Sequence, residues 1–319
     1  MSFSSDVKEE LSAHISKSRH CQIAQFAGIF VFCGRIINRE SKTILRIQTE
    51  NSSVEAACKE LMKAAFGTNF ISCGDEFSQK KNGVYIIEVT QNEAVIMILK
   101  ALKFIDDSVN FNNTTGLIDN RIVKLNCCKR AFIRGAFLAA GSISAPEKFY
   151  HFEIVCSDNQ KAEHMKYILN SFELDAKIVQ RKNHFVVYIK EGDKIVDVLN
   201  IMEAHKALMN LENVRIMKEM RNNVNRQVNC ETANINKTVS AAVKQIEDIQ
   251  FLNATIGLEA LAPQLKEIAY LRLENADASL KELGSMLDPP VGKSGVNHRL
   301  RKISVLAKEM REKRGGFLR

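Results

Sequence analysis

The sequence predicts an α+β fold: a pseudo-two-fold repeat in which each copy runs α-β-β-α-β-β-α, followed by an all-α domain. Three observations lead there. Two apolar helical segments 107 residues apart share one pattern, Phe26-Ala27-Gly28-Ile29-Phe30-Val31-Phe32-Cys33-Gly34 and Ile133-Arg134-Gly135-Ala136-Phe137-Leu138-Ala139-Ala140-Gly141. Runs of strand formers recur behind them at nearly the same offset. From about residue 206 onward, apolar residues return at three- and four-residue spacing, the period of a helix face.

Within the repeat, each helix is followed by a strand, over about 35–40 and 142–145. The next strand is Leu45–Asn51 in the first copy and Phe152–Asp158 in the second, again 107 residues on. Helical patterns follow over 52–66 and 159–172, then strands over 68–78 and 176–182. Val84–Val89 matches His184–Ile189 at an offset of 100, as a loop shortened by seven residues requires. Helices over 92–104 and 192–204 close the copies. The repeat domain is therefore expected over 1–205, with copies at about 19–105 and 126–205. Glycine inside a helix costs about 1 kcal/mol against alanine. Its use at Gly28, Gly34, Gly135 and Gly141 marks these as repeat-interface positions where two helix backbones approach.

Residues 206–255 are expected to form a helical linker. Leu211, Val214, Met217, Met220 and Val224 predict a helix to about 226, the asparagine-rich run 229–236 a turn, and 238–252 a second helix. A polar connector and a phosphate-contacting arm both fit this segment. Residues 256–319 read as a helix-turn-helix domain. A first helix carries Leu265, Ile268, Leu271 and Leu273. Asp277 or Ser279 can cap a second over 280–287, where Gly284 leaves room for the next helix to cross. After the turn Asp288–Lys293, Ser294 is the expected N-cap of a third helix, 295–311. Val296, Leu300, Ile303, Ala307 and Met310 share its inner face.

Charge separates these regions. Of the net +8, +7 lies in residues 293–319, where nine basic residues face two acidic ones. The outer face of the third helix carries Asn297, His298, Arg301 and Lys302. Asparagine bonds adenine and arginine bonds guanine bidentately in the major groove, while Lys293, Ser294, Lys302 and Lys313-Arg314 suit phosphates. These residues make double-stranded DNA the expected partner. Residues 1–205 carry only +2, thin for a surface that neutralises many phosphates. Lys80, Lys81, Arg181 and Lys182 are its candidate backbone contacts, and a solvated sheet edge accounts for them equally.

Other classes are excluded or unsupported. No run of 18 uncharged apolar residues implies a membrane span, and Asp6, Lys8, Glu9 and Glu10 rule out a signal peptide at the N-terminus. The eight cysteines form no CxxC pair and no Cys/His cluster with zinc spacing, so no metal and no cofactor is assigned. Scattered single thiols fit a reducing cytoplasm.

The paired segments 26–34 and 133–141 resemble the signature helix of the LAGLIDADG homing endonucleases, an apolar helix ending in acid-Gly whose acid binds the catalytic divalent metal. Here those positions hold Cys33 and Ala140. Mg²⁺ demands oxygen ligands, so no catalytic residue is assigned and the chain is expected not to be an enzyme. Degenerate repeats of this kind joined to a C-terminal helix-turn-helix resemble the WhiA family of bacterial sporulation and cell-division regulators. The segments that carry this resemblance are Ser2-Phe3, Asp6–Leu11, Arg221–Arg226, Cys230–Asn234 and Gly292–Leu300. The resemblance implies a cytoplasmic, nucleoid-associated regulator bound at promoters, without nuclease activity, acting in cell division, chromosome segregation or sporulation. The repeat domain would then serve as a scaffold, a protein-partner surface or a weaker DNA contact. The alternative is an interaction protein of the division machinery whose DNA binding is nonspecific.

Overall fold

The computed structural model describes residues 2–39, 42–67, 78–81, 83–106, 108 and 117–315. The chain divides into two compact units, Met1–Lys218 and Glu219–Arg319. The boundary falls inside the segment expected to be a separate linker, because the two ends of that segment are buried. Ala207 and Leu211 belong to the core of the first unit, and Ile249 and Leu252 to that of the second.

The first unit opens with α1 (Phe3–Ser12), an element the expectations did not include. Phe3, Val7 and Leu11 form its buried face, and the Ser2 hydroxyl caps it by accepting from Ser5 N. The first copy then runs α2 (Arg19–Cys33), β1 (Gly34–Arg39), β2 (Lys42–Thr49), α3 (Ser52–Phe66), β3 (Ser78–Lys81), β4 (Val84–Val89) and α4 (Asn92–Ala101). The second runs α5 (Asn126–Ala140), β5 (Gly141–Ile143), β6 (Phe152–Cys156), α6 (Asn159–Asn170), β7 (Lys177–Arg181), β8 (His184–Ile189) and α7 (Gly192–Met202). The strand expected over 68–78 lies outside the described residues except for Ser78, where β3 begins.

Each copy forms one antiparallel sheet, ordered β1-β2-β4-β3 and β5-β6-β8-β7. The duplication extends to register. Gly34 faces Ile47 and Gly141 faces Ile154; Leu45 faces Val89 and Phe152 faces Ile189. Strand alternation turns Leu45 and Ile47, or Phe152, Ile154 and Cys156, into the core. Left-handed residues follow the last helix of each copy, Lys103 at φ 59° and Glu203 at φ 66°.

Helices α2 and α5 are the central pair. A methyl group built at Gly28 would sit 2.4 Å from the Phe132 carbonyl oxygen, and one at Gly135 only 2.0 Å from that of Gln25. Gly34 and Gly141 differ from their expected place between the copies. A methyl there would strike Phe30 or Phe137 of its own helix, so these two glycines let each helix turn sharply into its strand.

Beside this crossing Arg134 is 1% exposed. It donates to Met202 O at 2.9 Å, Glu203 Oε2 at 2.6 Å, Gln25 Oε1 at 3.3 Å and Ser16 Oγ at 3.3 Å. Four hydrogen bonds, one of them to a carboxylate, are what permit a guanidinium in a core. Burial works to raise the Glu203 carboxyl, but the Arg134 hydrogen bond and charge prevail and hold it below its ordinary value.

The turn expected at 229–236 does not form; α8 is one helix, His205–Thr255. No glycine or proline interrupts it, and asparagine costs too little against alanine to break a helix alone. Polar side chains bond along it, Gln227 to Glu231 at 3.1 Å and Thr238 to the Asn234 carbonyl at 2.9 Å.

In the second unit, a 3-10 turn (Leu258–Ala260) leads to α9 (Pro263–Glu274), α10 (Leu280–Ser285) and α11 (Lys293–Gly315). Leu283, Leu287, Val296, Leu300, Ile303 and Ala307 are buried with Ile268 and Ala269 of α9. Among the described residues, no helix is long and apolar enough to cross a membrane.

Candidate nucleic-acid interface

Helix α10 is set by a capping box. Glu282 N donates to the Ser279 hydroxyl at 3.3 Å, and Ser279 N donates to the Glu282 carboxylate at 2.7 Å. These hydrogen bonds hold the Glu282 carboxyl below its ordinary value. The turn then folds back onto the helix it left. Val291 N donates to Gly284 O at 2.9 Å, and a methyl on Gly284 would lie 2.0 Å from Val291 O. Gly284 thus admits the carbonyl of the turn; of the next helix, Val296 comes within 3.2 Å of that methyl.

Helix α11 begins at Lys293, with Val296 N bonded to Gly292 O at 3.1 Å. Gly292 is therefore the cap residue, and Ser294, expected there, lies in the first turn. Lys293, Ser294, Asn297, His298, Arg301 and Lys302 are all exposed. Ser294, Asn297, His298 and Arg301 share a face by their spacing of three and four. Neighbouring charges are already paired: Arg299 with Glu267 at 3.8 Å, and Arg311 with the buried Asp248 at 2.7 Å. Among the described residues, no acidic side chain pairs with Lys293, Arg301 or Lys302. Lys293 and Asn297 also border a groove of about 750 Å³ against Val239, Val243 and Ile246 of α8.

The repeat unit presents a different surface. Arg46 pairs with Glu88, Arg181 with Glu153 at 3.3 Å, and the Lys80 ammonium lies 5.0 Å from the centre of the Tyr85 ring. Two of its four candidate phosphate contacts, Lys80 and Arg181, are thus engaged within the sheets. Where the acids of the nuclease pattern would stand, the Cys33 thiol donates to Ile29 O at 3.2 Å. Burial pushes that thiol up to about 12, with Lys8 of α1 pulling the other way. Lys8 also lies 5.9 Å from the centre of the Phe137 ring, one helical turn before Ala140. Burial lowers the Lys8 ammonium from its ordinary value, and while charged it opposes a divalent cation near helix ends that lack carboxylates.

At the other ends of the same two helices, the fold gathers a group that linear spacing hides. His20, Cys21, Cys127 and Cys128 place one ligand atom each within 4.8 Å of one another. His20 Nδ1 is 3.2 Å from Cys128 Sγ and 3.3 Å from Cys21 Sγ. Burial, reinforced by Cys127 and Cys128, pushes the Cys21 thiol up to about 12. The repeat offset carries the signal: adding 107 takes His20-Cys21 onto Cys127-Cys128.

Together these features define a class, a duplicated α+β scaffold without its acids joined to a capped three-helix unit with a basic outer face. Family models match three segments: the WhiA N-terminal LAGLIDADG-like domain at 19–105, the WhiA LAGLIDADG-like domain at 129–221 and the WhiA C-terminal HTH domain at 224–307. Relatives named Probable cell division protein WhiA include one from Lachnoclostridium phytofermentans, 49% identical over 98% of this chain and 100% of its own. Another, from Lachnospira eligens, is 49% identical over 99% of each. The crystal structure of full-length DUF199/WhiA from Thermatoga maritima shares the fold, with a TM-score of 0.57 at 24% identity over 97% of this chain and 99% of that one. The chain belongs to the WhiA family.

Proposed function

We propose that this chain is a sequence-specific, non-nucleolytic DNA-binding regulator of cell division that acts at promoters. The observation that carries the reading is the outer face of α11, where Lys293, Arg301 and Lys302, without an acidic partner among the described residues, stand beside Asn297 on a helix that the capping box and the Gly284 turn orient. Arg301 and Asn297 read base edges, and Lys293, Ser294, His298 and Lys302 hold phosphates. The repeat unit supplies the scaffold and a surface for a protein partner, since Lys80 and Arg181 are engaged within its sheets and Cys33 and Ala140 offer Mg²⁺ no oxygen ligand. The division role rests on the names of the relatives, and control of sporulation or chromosome segregation belongs to the same reading.

Selection of bound fragments from genomic DNA tests it directly. Enriched sites should share a motif, and on that motif Arg301→Ala should cost about 1–3 kcal/mol and relax specificity at one position. Lys302→Ala should weaken all sequences alike and reduce the salt slope by about 1. Equal affinity of the wild-type chain for selected and scrambled DNA would refute sequence reading and leave nonspecific binding.

A further inference from the structure

The amino ends of α2 and α5 meet in a set of side chains that the DNA-binding reading does not use. His20 and Cys21 are the second and third residues of α2; Cys127 and Cys128 are the second and third of α5. Because the dipeptides occupy equivalent places in the two copies, the pseudo-two-fold brings them face to face. The result is three sulfurs and one imidazole nitrogen within 4.8 Å.

That is the ligand count and spacing of a tetrahedral zinc site. With Zn–S of about 2.3 Å and Zn–N of about 2.0–2.1 Å, tetrahedral angles require ligand atoms about 3.5–3.8 Å apart. The contacts of 3.2 and 3.3 Å from His20 Nδ1 to Cys128 and Cys21 bracket that requirement from below, and the 4.8 Å limit bounds it from above. Movements of a fraction of an ångström to about 1 Å close the polyhedron, within the reach of χ1 rotations. Cys21 and Cys128 are buried while His20 and Cys127 are exposed, which gives an ion a path in and a protein wall behind it.

The electrostatics agree. Three thiolates and a neutral imidazole around Zn²⁺ carry net −1. Neither α2 nor α5 has a side-chain cap at its amino end, so two positive helix ends face that charge. A disulfide serves the cluster less well. Adjacent Cys127 and Cys128 cannot pair without strain, and any other pairing strands the third thiol and the histidine.

We propose that His20, Cys21, Cys127 and Cys128 form a structural Zn²⁺ site that clamps the two copies together. On binding, the three thiols release their protons to solvent and the imidazole coordinates through one ring nitrogen. Four protein ligands leave no position for water, so the site is structural rather than catalytic. Soft sulfur donors also separate it from the hard oxygen site that Mg²⁺ would need.

The test uses the full chain purified under reducing conditions. Elemental analysis should find about one zinc per chain. Co²⁺ added to the metal-stripped chain should give the intense d–d bands of a tetrahedral thiolate complex. Cys127→Ser, which alters an exposed position, should lose both signals, and Cys230→Ser, at an exposed cysteine on α8, should keep both. Chelation should lower the thermal midpoint of the wild type but leave Cys127→Ser unmoved. Zinc content equal in wild type and Cys127→Ser, weak octahedral Co²⁺ spectra from the wild type, or a disulfide joining two of these cysteines in the reduced preparation would overturn the assignment. The wild-type titration decides the matter even if a variant fails to fold.

Discussion

Gly135→Ala tests the claim that the repeat unit depends on backbone contact between α2 and α5. The added methyl would lie 2.0 Å from Gln25 O, 3.0 Å from Gln25 C and 3.1 Å from Ile29 N. Relief to an ordinary contact at 3.4 Å moves the helices apart by about 1.4 Å, and a gap of 0.5–1 Å already forfeits about a quarter to a half of each contact's attraction. Both clashing partners are backbone, so no rotamer change absorbs the collision. The cost sits at the upper end of overpacking, ~3 kcal/mol. Alanine returns ~1 kcal/mol in helix propensity, leaving a net loss of ~2 kcal/mol, a factor of about 30 in the opening equilibrium. Hydrogen exchange read by mass spectrometry should show this as lost protection in α2 and α5 peptides, with α11 peptides unchanged. Gly192→Ala is the control, because its methyl would meet the Tyr150 ring at 3.5–3.6 Å, an ordinary contact. It should be neutral or stabilising by up to ~1 kcal/mol. If Gly135→Ala stabilised the unit as Gly192→Ala does, the close-approach argument would be wrong.

Three further outcomes follow from the structure. Glu203→Gln should destabilise the repeat unit at neutral pH by ~2 kcal/mol, below the ~3–5 kcal/mol of a fully buried broken pair because Glu203 reaches solvent. Since the folded carboxyl titrates below its unfolded value, the pair's contribution is complete above the unfolded range and is lost as pH falls through the folded value. The difference between wild type and variant in urea midpoints should therefore shrink on acidification; a constant difference would exclude the ion pair as its source. Ser279→Ala should lower the thermal stability of the second unit by ~1 kcal/mol, and an unchanged transition would show that the capping box does not hold α10. Supercoiled plasmid incubated with the pure chain and Mg²⁺ or Mn²⁺ should stay intact, whereas nicking that tracks the protein through purification would restore a nuclease.

The repeat was legible because duplication doubles every signal: two helices ending in Gly, two strand pairs and two closing helices agree on one order. Helix α1 escaped because its three buried residues, Phe3, Val7 and Leu11, lie in a polar run read for its charges. The break expected in α8 failed for a physical reason. Asparagine prefers turns by a few tenths of a kcal/mol, but chain direction changes where glycine or proline requires it, and the segment has neither. At α11, periodicity located the helix and its buried face, but Ser294 as a capping type was outcompeted by Gly292, two residues earlier. The thiol cluster was hidden because metal spacing is sought along the chain, while His20-Cys21 and Cys127-Cys128 become neighbours only through the pseudo-two-fold.

Arg134 has a consequence for how the copies find each other. Its equivalent in the first copy is Ala27, so only one copy brings a guanidinium to the crossing. Two of its acceptors, Ser16 and Gln25, come from the first copy's side; their equivalents in the second are Val123 and Phe132. If two second copies were paired with each other, each arginine would meet valine and phenylalanine in place of Ser16 and Gln25. Met202 and Glu203 would stay with it, but the bonds to Ser16 and Gln25 would be lost, and a buried donor left without its partner costs about 1–3 kcal/mol. The duplicated halves are therefore not interchangeable, and this one side chain favours a first copy against a second over two second copies together.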